Sequence, residues 1–540
     1  MSSTQTDALG EGGVGSFIVQ ERQLRKDLGF WGLTAIGFSN IVGSGWLFAA
    51  ALAAQIAGPA SLLSWVAAGL LCALVALVMV ELGASRPEGG GTVRWPSYAS
   101  GRFVGSIIGW SVLLSVGGTA AEITAIMEYA GHYLPWLYHG STLTAAGLGI
   151  AAAFSILLTA LNWFAVRLFA RLNNLITVLK ILVPLITVVA VFASGFHSGR
   201  LTDHGGFAPY GYTAVLTALA SGGIIYSVNG FQAPVDFSGE ARNPRRNVPA
   251  SVLTGIGLAV LMYILLQLAF LFGVPESLLG HGWHGVDFSS PFGQLALILN
   301  LQWLSTLLYA DAVLSPGGSA YVGVAIDARH TYALAKNGLL PRFIMAVHRK
   351  SGIPRRALVL NFAVVIIFLL PFGGWQNIVS AMGDMYLLIY AASAVAAASF
   401  RAGDRTRLTG WIPGMNWIAP LSFVVAGEFI YWSGWHSLRW VLPLVLVGIP
   451  VFIVLWLGDR RGSLLGELRK GSWLVAYLVA LLVLSWVGSF SGAGYLPQPY
   501  DSIVVAVVSL GVFFWAVRSG RAHVQSTPSG ELGLDQSVNS

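Results

Sequence analysis

Runs of about twenty apolar residues, almost free of charge, follow one another along nearly the whole chain. That is the length a helix needs to cross about 30 Å of hydrocarbon. Ordinary soluble domains carry about 25% charged residues, and this chain of 540 carries 10%. A water-facing fold would expose too much apolar surface, and disorder or a collagen-like repeat is excluded by the same composition. The chain is therefore expected to be an all-α polytopic membrane protein.

Read run by run, the sequence offers fourteen candidate spans. Five lie at Leu33–Ala54, Ser61–Leu82, Val104–Ala130, Thr144–Ala165 and Leu172–Ser194. Five more lie at Tyr212–Phe237, Ala250–Gly273, Leu295–Ile326, Ala357–Phe372 and Gln376–Phe400. The last four are Met415–Gly434, Leu438–Leu457, Ser472–Phe490 and Ser502–Arg518. Basic residues stay on the cytoplasmic side, so a correct span count must sort them into alternate loops. With a cytoplasmic N-terminus, the 30 Lys and Arg residues all fall inside except Arg200, Arg439 and Lys180. Both termini are thus expected in the cytoplasm, and Lys180 within the membrane of the cell. The net charge of +7 follows from this sorting and from anionic lipid, with no nucleic acid partner implied.

The polar, Gly-rich start, Met1 to Gln20, has no apolar core, so the first span is expected to serve as its own insertion signal. The polar tail after Arg521 is expected to be disordered. Cys72, the one cysteine, lies among Leu and Ala, and packing is its expected role.

Two spans carry helix-breaking sequence near their middles. Span 1 reads Gly37-Phe38-Ser39-Asn40-Ile41-Val42-Gly43-Ser44-Gly45-Trp46, and span 6 reads Tyr226-Ser227-Val228-Asn229-Gly230-Phe231-Gln232, followed by Pro234. Unpaired backbone groups are costly in hydrocarbon, so unwound chain persists only where protein, water or a ligand satisfies it. Close packing through small residues is the competing explanation for the glycines. Each break opens a set of five spans, the arrangement expected of an inverted-repeat secondary transporter. The N–H groups opening the outer half-helix suit a carboxylate, and unwound carbonyls suit an ammonium. A zwitterionic amino acid offers both.

Ile41-Val42-Gly43-Ser44-Gly45-Trp46-Leu47-Phe48 resembles the span 1 signature of the amino acid, polyamine and organocation (APC) superfamily. Gly239-Glu240-Ala241-Arg242-Asn243-Pro244-Arg245-Arg246-Asn247-Val248-Pro249 is similar to that superfamily's loop after span 6. Glu81-Leu82 leading to Pro87-Glu88-Gly89-Gly90-Gly91, and Ala335-Lys336-Asn337-Gly338-Leu339-Leu340-Pro341, resemble further segments in the expected order. The resemblance implies a LeuT-type 5+5 inverted repeat with broken helices 1 and 6, and the fourteen spans read above add four helices to that core where the superfamily usually has two. Combined with those spans, the resemblance divides the chain into a cytoplasmic tail at 1–28, a ten-helix transport core at 29–401, four additional helices at 402–520 and a disordered cytoplasmic tail at 521–540. It further implies an amino acid permease working by alternating access. Its substrate carboxylate would lie on the backbone of Gly43, Ser44 and Gly45, and its amine on carbonyls of Ile41 and the Ser227 region, including Asn229 and Gly230. Tyr226 matches an occluding aromatic position. Gln232 stands where some relatives carry an acid, which removes proton sensing from that position.

Lys180 resembles the span 5 lysine of proton-coupled members, whose ammonium takes the place of sodium in sodium-coupled relatives. A lysine at mid-span costs about 2.5–3.5 kcal/mol on insertion scales, so it needs partners inside the bundle. Contacts with the backbone of span 1 and span 8 near Gly43 and Ser319 are expected, with the proton as coupling ion. Glu122 and Glu128 are six residues apart and face different directions, so only one, Glu122, is expected at the cavity. Asp311 and Asp384 are expected in hydrated vestibules, Glu81 beside basic loops, and Glu428 in packing or oligomer contacts. His281 and His284 make only a weak metal signal, and neither a metal nor another cofactor is expected. No HExxH, Walker or GxSxG motif occurs, which removes metalloprotease, ATP-driven and hydrolase chemistry. The favoured reading is a proton-coupled amino acid symporter. An exchanger or a polyamine carrier, with Glu122 and Asp311 on amines, is the alternative, ahead of a nutrient-sensing receptor.

Overall fold

Chain crossing hydrocarbon must satisfy its backbone internally, and the computed structural model of the protein is built almost wholly of helices. It describes residues 28–85, 91–139, 142–164, 166–238, 241–348, 353–370, 374–403, 412–458 and 463–527. The expected terminal tails up to 27 and from 528 lie outside the described residues, as do 87–90 and Gly239 and Glu240 of the family-like loops.

The first apolar window forms two helices, α1 (Phe30–Ile41) and α2 (Gly45–Ala57), with Val42 extended between them. Gly58, at φ +60°, turns the chain into α3 (Ser61–Ser85), and a Cβ there would fall 2.7 Å from Pro209. Next come α4 (Gly91–Ser100), α5 (Arg102–Leu114) and α6 (Gly117–Gly131). The third window, expected as one helix, is thus interrupted just before the Gly117-Gly118 pair. A short hairpin follows, β1 (Tyr138–His139) antiparallel to β2 (Thr142–Leu143), and leads to α7 (Ala145–Phe164) and α8 (Val166–Ser194).

The sixth window is broken twice. It comprises α9 (Thr213–Ser221), α10 (Ile224–Val228) and α11 (Ala233–Asp236), with a 56° bend after α9. Gly223 (φ +81°) and Gly230 (φ +103°) supply the left-handed backbone at the two interruptions. Beyond α12 (Pro244–Gly273), the eighth window departs from expectation at its start. Its first residues belong to a separate helix, α13 (Pro291–Ile298), and the left-handed Asn300 (φ +59°) turns the chain into α14 (Gln302–Lys336). Then follow α15 (Arg355–Leu369), α16 (Trp375–Gly403), α17 (Met415–Trp432), α18 (Trp435–Leu446), α19 (Gly448–Gly458), α20 (Leu464–Val487) and α21 (Tyr500–Ser526). The last continues past Arg521, where the disordered tail was expected. Among the described residues, nine helical stretches are long and apolar enough to cross a membrane, ten if the bent α9–α11 counts as one.

Burial separates central from peripheral helices. The apolar windows of α5–α6 and of α16 are 89% buried, whereas those of α7 and α21 are 28% buried and turn their side chains outward, as lipid-facing helices do. Of the last helices, α17 packs on α16 and α3, α21 on α16 and α4, and α19 and α20 on α5. Two polar ties reinforce this seam. Asp384 of α16 accepts hydrogen bonds from Ser433 (2.6 Å) and Ser437 (2.9 Å), and Arg401 pairs with the buried Glu81 of α3 at 2.5 Å. Asp384 is therefore sealed within the bundle rather than set in a hydrated vestibule. One end of the bundle carries the β1–β2 hairpin, and the other gathers Arg94, Lys336, Arg401 and Lys470; these are the hairpin and basic faces below.

Candidate functional site

The two helix breaks meet at the centre of the bundle, and their glycines are what allow it. A Cβ on Gly45 would lie 2.2 Å from Ser227 Oγ, and one on Gly230 would lie 2.6 Å from the Asn40 carbonyl oxygen. Asn40 Nδ2 also donates to the Gly230 carbonyl at 3.0 Å. From α12, the buried Tyr263 hydroxyl lies 3.2 Å from Ile41 O and 3.0 Å from Ser227 O, so its one proton is shared between carbonyls at the two breaks. Those are the carbonyls the sequence reading gave to a substrate amine. Tyr263 itself stacks on Trp65, with ring centroids 4.7 Å apart.

Glu122 of α6 lies against the first break. Its Oε2 accepts the Ser44 backbone N–H at 2.9 Å, and its Oε1 accepts the Tyr226 hydroxyl at 3.0 Å. Its carboxylate thus occupies the kind of place expected for a substrate carboxylate. Gly43 leaves room for this carboxylate, since a Cβ there would come 2.6 Å from Oε1 unless the end of the Glu122 side chain moved. Lys180 of α8 is 1% exposed. Its Nζ donates to the Ser39 carbonyl at 2.9 Å and to Ser319 Oγ at 2.5 Å. The contact with span 1 therefore falls one turn before Gly43, and the contact with span 8 is made by a side chain, not by backbone. At the second break, the Tyr390 hydroxyl of α16 donates to Asn229 Oδ1 and lies 3.1 Å from Gln232 Oε1, which also accepts the Gly230 N–H at 3.1 Å.

Two cavities approach this centre from opposite faces. The one on the basic face, about 430 Å³, is lined near the breaks by Asn40, Thr119, Glu122, Tyr226, Gln232 and Ser319, and its mouth is lined by Arg94, Asp236, His330 and Lys336. The one on the hairpin face, about 760 Å³, is lined by Phe48, Gln55, Glu128, Tyr138, Trp375 and Gln376. Trp375 stands between them. Its indole N–H donates to Ser44 Oγ at 2.8 Å, its ring stacks on Phe48 at 4.9 Å, and its backbone N–H donates to Glu128 Oε1 at 2.6 Å.

Of the two α6 glutamates, Glu122 lines the basic-face cavity beside the breaks and Glu128 lines the other, on the hairpin face. Six residues raise Glu128 about 9 Å along the helix from Glu122, enough to reach the other cavity. Asp311 departs from the expectation of a hydrated vestibule: it lines neither cavity, is 2% exposed, and has no hydrogen-bond partner on either oxygen among the described residues. Sequence reasoning did not single out Trp375, Tyr263, Tyr390 or Thr119. A tyrosine or tryptophan inside an apolar span must find a polar partner, but such residues are too common in this chain for that signal to select these.

The amino acid permease family profile matches residues 28–517 of the chain. The chain is 36% identical over 515 residues to the glutamate/serine transporter AimA of Bacillus subtilis (strain 168), covering 92% of this chain and 94% of that protein. It is 34% identical to the aspartate-proton symporter of the same organism, covering 93% and 98%. Similarity to the human cationic amino acid transporter 4 is weaker, at 28% identity over 71% and 61% of the two chains. This multi-pass helical membrane protein belongs to the amino acid permease family of the APC superfamily, a family of transporters and not of enzymes.

Proposed function

We propose that the chain is a proton-coupled amino acid symporter of the cell membrane, with a LeuT-type 5+5 core at 29–401, some fourteen crossings and both termini in the cytoplasm. The observation that carries this reading is the pairing of Glu122 and Lys180 on the two sides of the span 1 break, each hydrogen-bonded to its backbone. A substrate carboxylate binds the Ser44 N–H by displacing Glu122, and its amine takes carbonyls of Ile41 and Ser227 from Tyr263. Cavities on both faces, separated by Trp375 and Tyr226, are the geometry alternating access requires. The hairpin face, closed at Trp375, is then the outer one. Lys180, bonded to α1 and α14, ties the moving span 1 to its neighbours, and its loss of a proton releases that tie.

The names of the similar proteins suggest small polar and acidic substrates, and one names the proton. Hydroxyl side chains, among them those of Thr119, Ser319 and Tyr386, line the basic-face cavity and suit a short polar side chain. The test is uptake of labelled amino acids by the purified protein in liposomes, with and without an inward proton gradient, beside Lys180→Ala. Gradient-driven accumulation that the variant loses is expected. Exchange that ignores the gradient and survives in Lys180→Ala would refute proton coupling and favour an exchanger.

A further inference from the structure

Three ionisable groups face one another in the buried middle of the bundle: Glu122 on α6, Lys180 on α8 and Asp311 on α14, with Lys180 acting electrostatically on both acids. Hydrogen bonding distinguishes their protonation states. A carboxylate only accepts, whereas a carboxylic acid also donates. Glu122 receives two donors, one on each oxygen, as an ionised carboxylate does. Lys180 donates to two acceptors, which an amine or an ammonium can do, and the ammonium is the form that balances the Glu122 carboxylate. Asp311 receives no donor on either oxygen among the described residues. Ser315, four residues on and on the same helix face, has a buried hydroxyl that is also without a partner among the described residues, at 1% exposure. A buried carboxylate with no donor is far costlier than a neutral acid.

Glu122 and Lys180 already cancel each other's charge, so an ionised Asp311 would leave the trio at a net −1, with nothing aimed at the extra charge. We infer that Asp311 holds the coupling proton in this conformation, and that Asp311, rather than Lys180 alone, is a proton-carrying site of the transport cycle. This rests on the proton-coupled reading above. The proton is taken up by Asp311 from water on the hairpin face and leaves to water on the basic face by way of Lys180, which Asp311 then reprotonates, one proton for each substrate carried.

The other groups around Asp311 leave it this role. From α6, Tyr129 interacts with it, but its hydroxyl donates to the Leu47 carbonyl; from α8 comes Lys180. The other helices packed on α14 are chiefly α13, α7 and α15, with smaller contacts from α1, which has no titratable residue, from α4, which carries Arg94 and Tyr98, and from α5, which carries Arg102. Neither α13 nor α7 contains a titratable residue, and α15 carries only Arg355 and Arg356, at its far end. On α14 itself, Tyr309 is turned to Ser290.

The test uses the full-length protein in liposomes, with the membrane potential clamped, an inward gradient of one pH unit, labelled serine outside and a pH dye inside. One proton per serine gives about tenfold accumulation in the wild type, with serine-dependent acidification. Asp311→Asn, which keeps the shape of the protonated acid, is expected to bring accumulation to a ratio near one and abolish acidification while serine counterflow continues. Asp311→Glu is expected to restore both. Asp311→Asn that still accumulates serine and acidifies the lumen overturns this proposal alone, whereas wild-type transport without acidification overturns it together with the proton-coupled reading. Should the Asn variant not fold, the wild type is treated with a lipid-soluble carbodiimide, which modifies protonated carboxyls in apolar surroundings. An adduct mapped to Asp311 supports the proposal, and adducts confined to other carboxyls overturn it.

Discussion

Gly45→Ala tests whether the close approach of the two helix breaks is what shapes the site. The added Cβ would lie 2.2 Å from Ser227 Oγ, 2.8 Å from Ser227 Cβ and 2.9 Å from Ser227 Cα. The hydroxyl can rotate away, at the expense of its 2.7 Å bond to the Gly223 carbonyl, but Cβ and Cα are fixed to the backbone. Carbon atoms rest at about 3.5–4.0 Å, so the breaks must separate by roughly 0.6–1 Å. A shift of that size stretches the Tyr263 hydroxyl's bonds of 3.0 and 3.2 Å beyond useful length. Overpacking of this kind costs about 1–3 kcal/mol, and substrate affinity is expected to fall by about 5- to 150-fold. Equilibrium binding of labelled amino acid to purified protein measures it. Gly43→Ala is the control, since its Cβ meets the movable end of Glu122 at 2.6 Å and not backbone. Its affinity loss is expected to be smaller. Wild-type affinity in Gly45→Ala would refute the reasoning. So would full recovery in Gly45→Ala with Ser227→Gly, because the Cα clash would still be there.

Other perturbations address the supports around the site. Trp375→Phe keeps a ring over Phe48 but removes the indole donor to Ser44, a loss of about 0.5–1.5 kcal/mol; it is expected to raise labelling, from the hairpin face, of a cysteine placed at Ala51 in a Cys72→Ala background. Arg401→Ala strands the 1% exposed Glu81 without its cation, and is expected to cost about 3–5 kcal/mol, read as a lowered thermal unfolding midpoint in detergent. Thr119→Val removes a cavity-lining hydroxyl that has no partner among the described residues. It is expected to reduce the preference for serine over alanine by about fivefold, the equivalent of one ordinary hydrogen bond, in competitive uptake.

How far the sequence discloses this arrangement depends on whether a residue's neighbours are local or distant. Charge sorting placed Lys180 within a span, and the mid-span composition, Gly43–Gly45 in one and Tyr226 to Gln232 with Pro234 in the other, located the two interruptions. Both signals are local. The start of α14 was misread because apolar residues run on through Leu299, and only the left-handed Asn300 separates one helix from the next. The interruption of the third window was missed because Gly117 and Gly118 look like ordinary packing glycines in a chain with 65 of them. Tyr263 and Trp375 act on breaks some 220 and 330 residues away in sequence, and no periodicity reports such a pairing. Angular spacing correctly separated Glu122 from Glu128, but height along α6 decided which cavity each one lines.

The hydrogen bonds at Ser44 bear on how the two faces could be coupled. Trp375 donates to its hydroxyl from the hairpin side, and its N–H donates to Glu122, which also accepts the Tyr226 hydroxyl on the basic side. Glu128 extends the chain outward by holding the Trp375 backbone. One residue of the span 1 break thus links the plug of one cavity to the wall of the other. A substrate carboxylate arriving at the Ser44 N–H must take the place of Glu122, and that frees the Tyr226 hydroxyl. If Trp375 instead swings out, Ser44 loses its other support and the break can shift toward Glu122. Either motion changes the partners available to the other, so opening on one face alters the stability of closure on the opposite face. Ser44→Ala separates the two connections: it removes the hydroxyl that receives Trp375 and keeps the N–H that binds Glu122. Substrate binding from the basic face should then persist while its effect on hairpin-face accessibility disappears. Substrate-dependent protection of a cysteine at Ala51 that survives in Ser44→Ala would show that the faces communicate by another route.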